Sequence, residues 1–262
     1  ITFGDGSAIF GGTNFTDATL DTITLGGTEL LITGAVTITG PGADLLTIDA
    51  NQGSRIFHVD DQDAATQIVV GIDGLTLTGG NAISGGAIYT REDLTVSNST
   101  ISGNTAFSGR GGGIYNIYGT TTVSNSTVSG NTAGNHGGGI YNFLGTTTVS
   151  NSTISGNTAG NRGGGIYSND GTTTVSNSTI SGNTASHGGG MSNVAGTTTV
   201  SNSTISGNTA GNRGGGIYNR SGTTTVSNST VSGNTASFGG GGIYHNRGTT
   251  TVSNSIVAGN TL

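Results

Sequence analysis

Apolar and polar residues alternate along this chain in a phrase that returns at a nearly constant interval. Each copy contains a run of glycines followed by one apolar residue, which serves as a marker. The markers are Ile88, Ile114, Ile140, Ile166, Met191, Ile217 and Ile243, separated by 26, 26, 26, 25, 26 and 26 residues. A fixed period of this length is typical of stacked supersecondary units, so the sequence predicts a repeat architecture.

Two further sets of residues keep the same period. The valine that ends each TTTV phrase, or its counterpart in the first copy, is Val96, Val123, Val149, Val175, Val200, Val226 and Val252. The asparagine that ends each SGN phrase follows eight residues later, at Asn104, Asn131, Asn157, Asn183, Asn208, Asn234 and Asn260. The copies of the repeat differ in length mostly in the segment between SGN and the glycine run, which predicts a loop there.

The residues within each copy favour short strands over helices. Thr, Ser, Asn and Gly are poor helix formers, and no apolar stripe with a 3.6-residue period is present. Leu94 precedes Val96 by two residues, so these two positions share a face, which we predict to be the inner one. The STIS phrase places Ile205 inward between two hydroxyl side chains. The GGIYN phrase places its Ile inward and its Tyr outward.

These patterns predict an all-β fold, a parallel β-helix with three short strands in each coil of ~26 residues. Like residues then stack in columns ~4.8 Å apart. The less regular residues 1–87 are predicted to form an N-terminal cap and the first coils. Residues 88–262 are predicted to form seven regular coils of the same domain. The SGN asparagines are predicted to form a structural ladder, because each amide can bond to those above and below it.

Three segments carry a resemblance to known families. GGAI at Gly85–Ile88 and ISGN at Ile101–Asn104 resemble the GGAI and FxxN repeats of bacterial polymorphic outer membrane proteins, with Ile or Val replacing Phe. Residues 30–59 resemble the opening of large secreted bacterial β-helix proteins. The resemblance covers nearly the whole chain and implies a right-handed parallel β-helix at the cell surface or outside the cell, as in adhesins. It implies the fold more strongly than the function.

Composition narrows the class of protein. Glycine accounts for 52 of 262 residues, but a single proline and the absence of a Gly-X-Y period exclude collagen. The absence of cysteine excludes disulfides and thiolate metal sites. No apolar run has the length of a membrane span, so we predict no direct span in this chain. We also expect no cofactor.

The distribution of carboxylates argues against an enzyme. Enzymes with this type of solenoid need clustered carboxylates for acid/base chemistry or for calcium. After Asp93 the chain has one acid, Asp170, so the regular coils cannot assemble a carboxylate pair. Asp60, Asp61 and Asp63 do cluster, but their spacing fits no calcium loop. We interpret VDDQDAAT as a polar turn, with a metal site as the alternative.

Outward-facing threonines form the first candidate binding surface. They are Thr120, Thr122, Thr146, Thr148, Thr172, Thr174, Thr197, Thr199, Thr223, Thr225, Thr249 and Thr251. This grid of hydroxyl and methyl groups resembles the ice-binding faces of other solenoids. The alternative is that Thr suits exposed strand positions.

A second candidate surface combines basic and aromatic columns. The basic residues are Arg110, His136, Arg162, His187 and Arg213, and the tyrosines are Tyr115, Tyr141, Tyr167, Tyr218 and Tyr244. An anionic glycan could lie along this edge, more strongly at low pH, and the rings could form a sugar-binding platform. The alternatives are solvated loop tips and rings that stabilise the column by contact.

Charge is unevenly distributed between the two ends. Residues 1–93 contain twelve acids and two arginines, a net charge of −10, whereas residues 94–262 contain one acid and five arginines, a net charge of +4. This asymmetry and an uncapped last coil predict head-to-tail association, with a cut from a longer protein as the alternative. A total charge of −6 without lysine argues against nucleic acid as a partner.

Taken together, these features predict a non-enzymatic extracellular structural protein. It would be an adhesin-like stalk or a filament subunit that presents a repetitive Thr, Ser, Asn and Tyr surface. The alternatives are a glycan- or ice-binding solenoid and, after these, a polysaccharide lyase or hydrolase. The predicted partners are further copies of the chain and surface glycans, and the predicted location is extracellular or on a bacterial cell surface.

Overall fold

The computed structural model of the chain is an all-β solenoid. It describes residues 19–63 and 65–262, together with the backbone of Ile9–Phe10 and Thr13–Asn14. The described residues contain no helix and form a right-handed solenoid of about nine coils. The predicted parallel β-helix is therefore confirmed. The rest of the predicted cap, residues 1–8, 11–12 and 15–18, lies outside the described residues.

The irregular first part contains ten strands. They are β1 (Ile9–Phe10), β2 (Thr13–Asn14), β3 (Asp21–Thr24), β4 (Leu30–Ile32), β5 (Val36–Thr39), β6 (Leu46–Asp49), β7 (Phe57–Val59), β8 (Val69–Asp73), β9 (Thr76–Thr78) and β10 (Asn81–Ala82). β1 and β2 form a separate antiparallel pair. The other eight strands belong to parallel sheets that continue through the regular coils.

The regular coils repeat one set of strands. These are β11 (Ile88–Thr90), β12 (Asp93–Ser97), β13 (Thr100–Ser102), β14 (Thr105–Ala106), β15 (Ile114–Ile117), β16 (Thr120–Ser124), β17 (Thr127–Ser129), β18 (Thr132–Ala133), β19 (Ile140–Phe143), β20 (Thr146–Ser150), β21 (Thr153–Ser155), β22 (Thr158–Ala159), β23 (Ile166–Asn169), β24 (Thr172–Ser176), β25 (Thr179–Ser181), β26 (Thr184–His187), β27 (Met191–Val194), β28 (Thr197–Ser201), β29 (Thr204–Ser206), β30 (Thr209–Arg213), β31 (Ile217–Ser227), β32 (Thr230–Ser232), β33 (Thr235–Ala236), β34 (Ile243–Ser253) and β35 (Ile256–Ala258). The three predicted strands of each coil are present, and most coils add a short fourth strand such as β18.

Each strand pairs with its counterpart in the neighbouring coils. Ten strands from β3 to β35 form one sheet, and seven short strands from β10 to β33 form another. The remaining sixteen-stranded sheet includes both the IYN strands and the TTTVS strands, which become continuous in β31 and β34. The pairing places equivalent residues of successive coils next to each other, for example Ile114 beside Ile140 and Val123 beside Val149.

Left-handed backbone conformations make the bends between strands. Asn125 bends the chain between β16 and β17 with φ of 48°, a conformation that asparagine tolerates better than most residues. Gly130 makes the next bend with φ of 62°. The glycine run serves a different purpose, because a β-carbon on Gly138 would collide with the carbonyl oxygen of Gly164 in the next coil. The repeat therefore needs glycine there for close stacking.

Small aliphatic side chains fill the interior of the regular coils. Ile114, Val123 and Val128 have no exposed surface, and the equivalent residues of other inner coils are also buried. Leu94 pairs with Thr121 and both are buried, which confirms the predicted inner face. Each coil thus has a small apolar core of its own, and its stability depends on the coils that cover it.

The SGN asparagines lie inside the solenoid and join successive coils. Asn131 donates from its backbone N and from Nδ2 to Oδ1 of Asn157, at 3.0 Å each. Its Nδ2 also donates to the backbone oxygen of Ile101 at 2.9 Å. Asn157 repeats these contacts with Asn183 and Val128. Both amide groups are fully buried, so the column satisfies its polar atoms only because the coils are in register.

Two further polar columns were missed by the sequence analysis. The asparagine of the IYN phrase points inward, so that Nδ2 of Asn116 donates to Gly119 O at 2.8 Å and to Asn142 Oδ1 at 3.0 Å. The second serine of each SNS phrase also links coils, since Ser126 N donates to Ser152 Oγ at 3.1 Å. Period-two alternation places the IYN asparagine on the same face as the buried isoleucine, a signal that could have identified the first column.

Removing one ladder amide is expected to destabilise the solenoid. Asn157→Ala leaves the backbone N of Asn131 without its acceptor, removes one of the two hydrogen bonds donated by the Asn131 amide, and removes the amide donor to the Val128 carbonyl. We expect the free energy of unfolding to fall by about 3 kcal/mol, since each unpaired buried polar group costs about 1–3 kcal/mol. Hydrogen exchange at the Asn131 backbone amide, together with thermal unfolding, measures the effect.

The matched control is Asn260→Ala in the last coil, where the ladder is only partly buried. The loss of stability there is expected to stay below about 1 kcal/mol, because water can replace the lost contacts. Equal losses for the two variants would contradict a role for the buried ladder.

Candidate functional site

A column of tyrosine rings covers the outer side of the IYN strands. The ring centroid of Tyr141 lies 4.8 Å from that of Tyr115 and 5.0 Å from that of Tyr167. Although these side chains point away from the core, Tyr141 and Tyr167 are each only 3% exposed. The rings are therefore not an open platform for a sugar. They pack on one another, which was the alternative interpretation from the sequence.

The basic column forms a roof over these rings, because four of its five basic side chains reach the tyrosine of the next coil. The pairs are Arg110 with Tyr141 at 5.5 Å, His136 with Tyr167 at 4.6 Å, His187 with Tyr218 at 5.1 Å and Arg213 with Tyr244 at 5.2 Å. Arginine over an aromatic face is a favourable cation–π arrangement. The two columns that the sequence placed on one edge thus form a single layer.

The roof is incomplete at one coil. Ser192 stands where the other regular coils have tyrosine, so Arg162 has no ring in the next coil to cover. Nε of Arg162 and Oγ of Ser192 are both buried without a hydrogen-bond partner. The break therefore removes an aromatic contact from the roof.

The histidines of the roof are uncharged at neutral pH. Burial, together with the nearby charges of Arg162 and Arg110, lowers the pKa of His136 to about 4. Burial also lowers the pKa of His187, again with Arg162 as the strongest charged neighbour. Any gain in positive charge at His136 therefore requires a pH near 4. The edge carries its permanent charge on the arginines alone.

The threonine array lies on the outer face of the TTTVS strands. Thr120 is exposed and Thr122 is half-buried, whereas Thr121 between them faces the core. The strands stack without a shift from β16 through β28, so the two outer threonines form straight columns. Asp93 borders the array, and its Oδ1 accepts a hydrogen bond from Thr120 N at 2.8 Å.

The acidic segment before β8 is a series of tight turns. Asp60 Oδ1 accepts from Gln62 N, Asp61 Oδ1 accepts from Asp63 N, and Asp63 Oδ1 accepts from Ala65 N, at 2.8, 2.8 and 2.9 Å. These contacts support the interpretation of VDDQDAAT as a polar turn. The fold also brings Glu92 to this turn, which the sequence analysis did not anticipate.

Glu92, Asp60 and Asp61 form a carboxylate cluster beside a cavity. One oxygen from each lies within 4.8 Å of the others, and oxygen ligands of this kind suit calcium or magnesium. Glu92 is 2% exposed, and its Oε2 accepts from Ile68 N at 3.0 Å. The adjoining cavity, about 330 Å³, is lined by Asp60, Gln62, Asp63, Gln67, Arg91, Glu92 and Tyr118. Glu92 precedes β12, and the pairing of β12 with β8 brings it to this turn.

Comparison with known proteins identifies the fold family. The sequence pattern of the right-handed β-helix region family matches residues 118–261, just over half of the chain. The chain belongs to this family. No curated protein and no solved structure matches the chain. Among the described residues, no helix could cross a membrane.

The buried carboxyl of Glu92 is expected to make stability depend on pH. Burial raises the pKa of Glu92 above its ordinary value of 4.5, against opposing hydrogen bonds from the backbone of Ile68 and Asp61. The folded state therefore holds a proton that the unfolded state releases, and stability is lost as pH rises from below 4.5 through the raised pKa. Thermal unfolding of the wild type and Glu92→Gln between pH 4 and 8 measures this contribution.

Glu92→Gln keeps an oxygen that can accept from Ile68 N but cannot ionise. We expect its stability to fall less with increasing pH than that of the wild type. The interpretation would be wrong if the two proteins showed the same pH dependence.

Proposed function

We propose that the chain is a non-enzymatic structural rod of an extracellular or cell-surface protein, either an adhesin-like stalk or a filament subunit. The observation that carries this proposal is the use of buried polar groups in the regular coils. Asn131, Asn142 and Ser152, with their equivalents, bond mainly to neighbouring coils or to nearby backbone. The hydrogen bonds of the interior thus hold the coils in a stack, and a stack of this kind forms a straight, rigid rod.

The distribution of ionisable groups supports the same proposal. In residues 94–262 the single carboxylate, Asp170, has no acidic partner with which to perform acid/base catalysis. Family membership does not decide the matter, since the family also includes enzymes such as pectate lyases. The carboxylate cluster around Glu92 is where an enzymatic alternative would have to reside.

Head-to-tail association is part of the proposal. Residues 1–93, with twelve acids and two arginines, carry a net charge of −10, whereas residues 94–262, with one acid and five arginines, carry +4. Contact between the acidic first part of one copy and the basic part of another would bring opposite charges together and extend the rod.

Distance measurements test the rigid rod. The chain contains no cysteine, so Thr22→Cys with Thr230→Cys introduces a unique pair of spin-label sites. These threonines lie in one column, eight strand-to-strand steps apart. We expect a narrow distribution of distances centred on about 38 Å, from ~4.8 Å per step. A broad distribution would contradict a rod.

Two assays with the unlabelled chain separate the remaining alternatives. Sedimentation velocity over a wide concentration range is expected to show elongated species that grow by addition of whole chains. A strictly monomeric species would refute the filament form and leave the stalk.

Incubation with polygalacturonate, alginate and xylan is expected to leave each polymer intact, and cleavage abolished by Glu92→Gln would refute the non-enzymatic proposal.

The threonine array favours a second candidate function, binding to ice. Its six rows of Thr-x-Thr stand in register on a parallel sheet, which gives hydroxyl and methyl groups a two-dimensional repeat. Thermal hysteresis is the test. If ice binds, Thr148→Tyr in the centre of the array should reduce hysteresis at least by half, whereas Thr153→Tyr on the neighbouring sheet should not. No hysteresis in the wild type would eliminate this candidate.

A further inference from the structure

The five arginines of residues 94–262 have no carboxylate partner among the described residues. The ion pairs among the described residues all lie within the first 93 residues of the chain. They are Arg55–Glu29, His58–Glu29, His58–Asp60 and Arg91–Asp60. Asp170 bonds instead to Asn169 at the far end of the IYN strand. The charges of Arg110, Arg162 and Arg213 are therefore not neutralised by the protein.

These three charges form a regular line along the solenoid. Parallel bridges connect Arg110 to His136, His136 to Arg162 and Arg162 to His187, and strand pairing continues the column to Arg213. Successive arginines are therefore two coils apart, or ~10 Å at the spacing of parallel strands. Because the histidines are uncharged at neutral pH, the positive charge repeats at every second coil.

The tyrosine layer fixes the positions of the charges without cancelling them. The rings of Tyr141 and Tyr244 hold the guanidinium groups of Arg110 and Arg213 at 5.5 and 5.2 Å. An aromatic face attracts a cation through its quadrupole but carries no net charge. Arg110 and Arg213 remain exposed and Arg162 is half-buried, so their outer N–H groups are directed to an accessible edge. Guanidinium groups bind carboxylate and sulfate groups through paired hydrogen bonds.

We propose that this arginine column binds a linear anionic polysaccharide, carboxylated or sulfated, laid along the solenoid axis. A line of equivalent charges suits a polymer that carries anionic groups at a regular interval. A single small anion would contact only one of the three arginines. Nucleic acid fits less well, since double-stranded DNA carries one charge per ~1.7 Å against one per ~10 Å here. The inference goes beyond the structural role, which requires no ligand.

Calorimetry on the full chain tests the proposal with a heparin-derived decasaccharide and a hyaluronate decasaccharide, and with dextran as the neutral polymer. We expect binding to at least one charged polymer and not to dextran. The affinity is expected to fall as the salt concentration rises, with a slope of log K against log salt no steeper than about −3, from three ionic contacts. Binding to dextran, or to neither charged polymer, would overturn the proposal.

Charge-removal variants locate the site. Arg110→Gln, Arg162→Gln and Arg213→Gln together are expected to weaken binding about tenfold or more, since each exposed ionic contact contributes modestly. The control compares two exposed arginines singly, Arg213→Gln in the column and Arg247→Gln outside it, and the second is expected to weaken binding less than the first. Equal losses from these two single variants would show that net charge alone is responsible.

Two further measurements distinguish a polysaccharide site from a loss of folding and from general attraction to polyanions. Replacing the three column arginines by lysine preserves the charges but not the paired hydrogen bonds, so it should restore only part of the affinity lost in the glutamine variant. Circular dichroism confirms that each variant remains folded. A 20-base-pair DNA duplex serves as the competing polyanion. If DNA binds more tightly than both polysaccharides at the same salt concentration, the column is not a polysaccharide site.

Discussion

The hydrogen-bonding requirement of a buried amide is the constraint on which this structure depends. Asn157 has no exposed surface, and its amide is satisfied only when Asn131 and Asn183 stand directly beside it in the adjacent coils. A shift of register by one residue would leave these groups unpaired in the interior, where each costs about 1–3 kcal/mol. The ladder therefore fixes the alignment of each regular coil with the next and, through it, the other columns of the regular coils.

Fixed register explains why so few large side chains are needed and why the surface is periodic. A coil such as that of Ile114, Val123 and Val128 has a small core, but the coils on either side cover it completely. The same alignment stacks the tyrosines, places a basic side chain over the ring of the next coil and aligns the threonines into columns. The candidate surfaces are thus consequences of the interior, and any ligand they bind would be linear or two-dimensionally regular.

The sequence predicts the repeat unit well and the relations between distant segments poorly. The 26-residue period and the alternation around Leu94 and Val96 define the coil and its inner face, because each depends on local pattern. The roof over the tyrosines was not predicted, since it depends on side chains reaching from one coil to the next. Glu92 beside Asp60 was missed for a related reason, because the irregular turn breaks the period that places residues in space.

Deletion of one whole coil tests the central claim most directly. Removing residues 146–171 joins Gly145 to Thr172 and should bring the remaining columns back into register. Small-angle scattering and circular dichroism are expected to show a folded β rod shorter by ~4.8 Å, whereas deletion of residues 146–158, half a coil, should prevent folding. Loss of the fold in the whole-coil deletion, or equal tolerance of both deletions, would contradict an architecture held in register by its ladders.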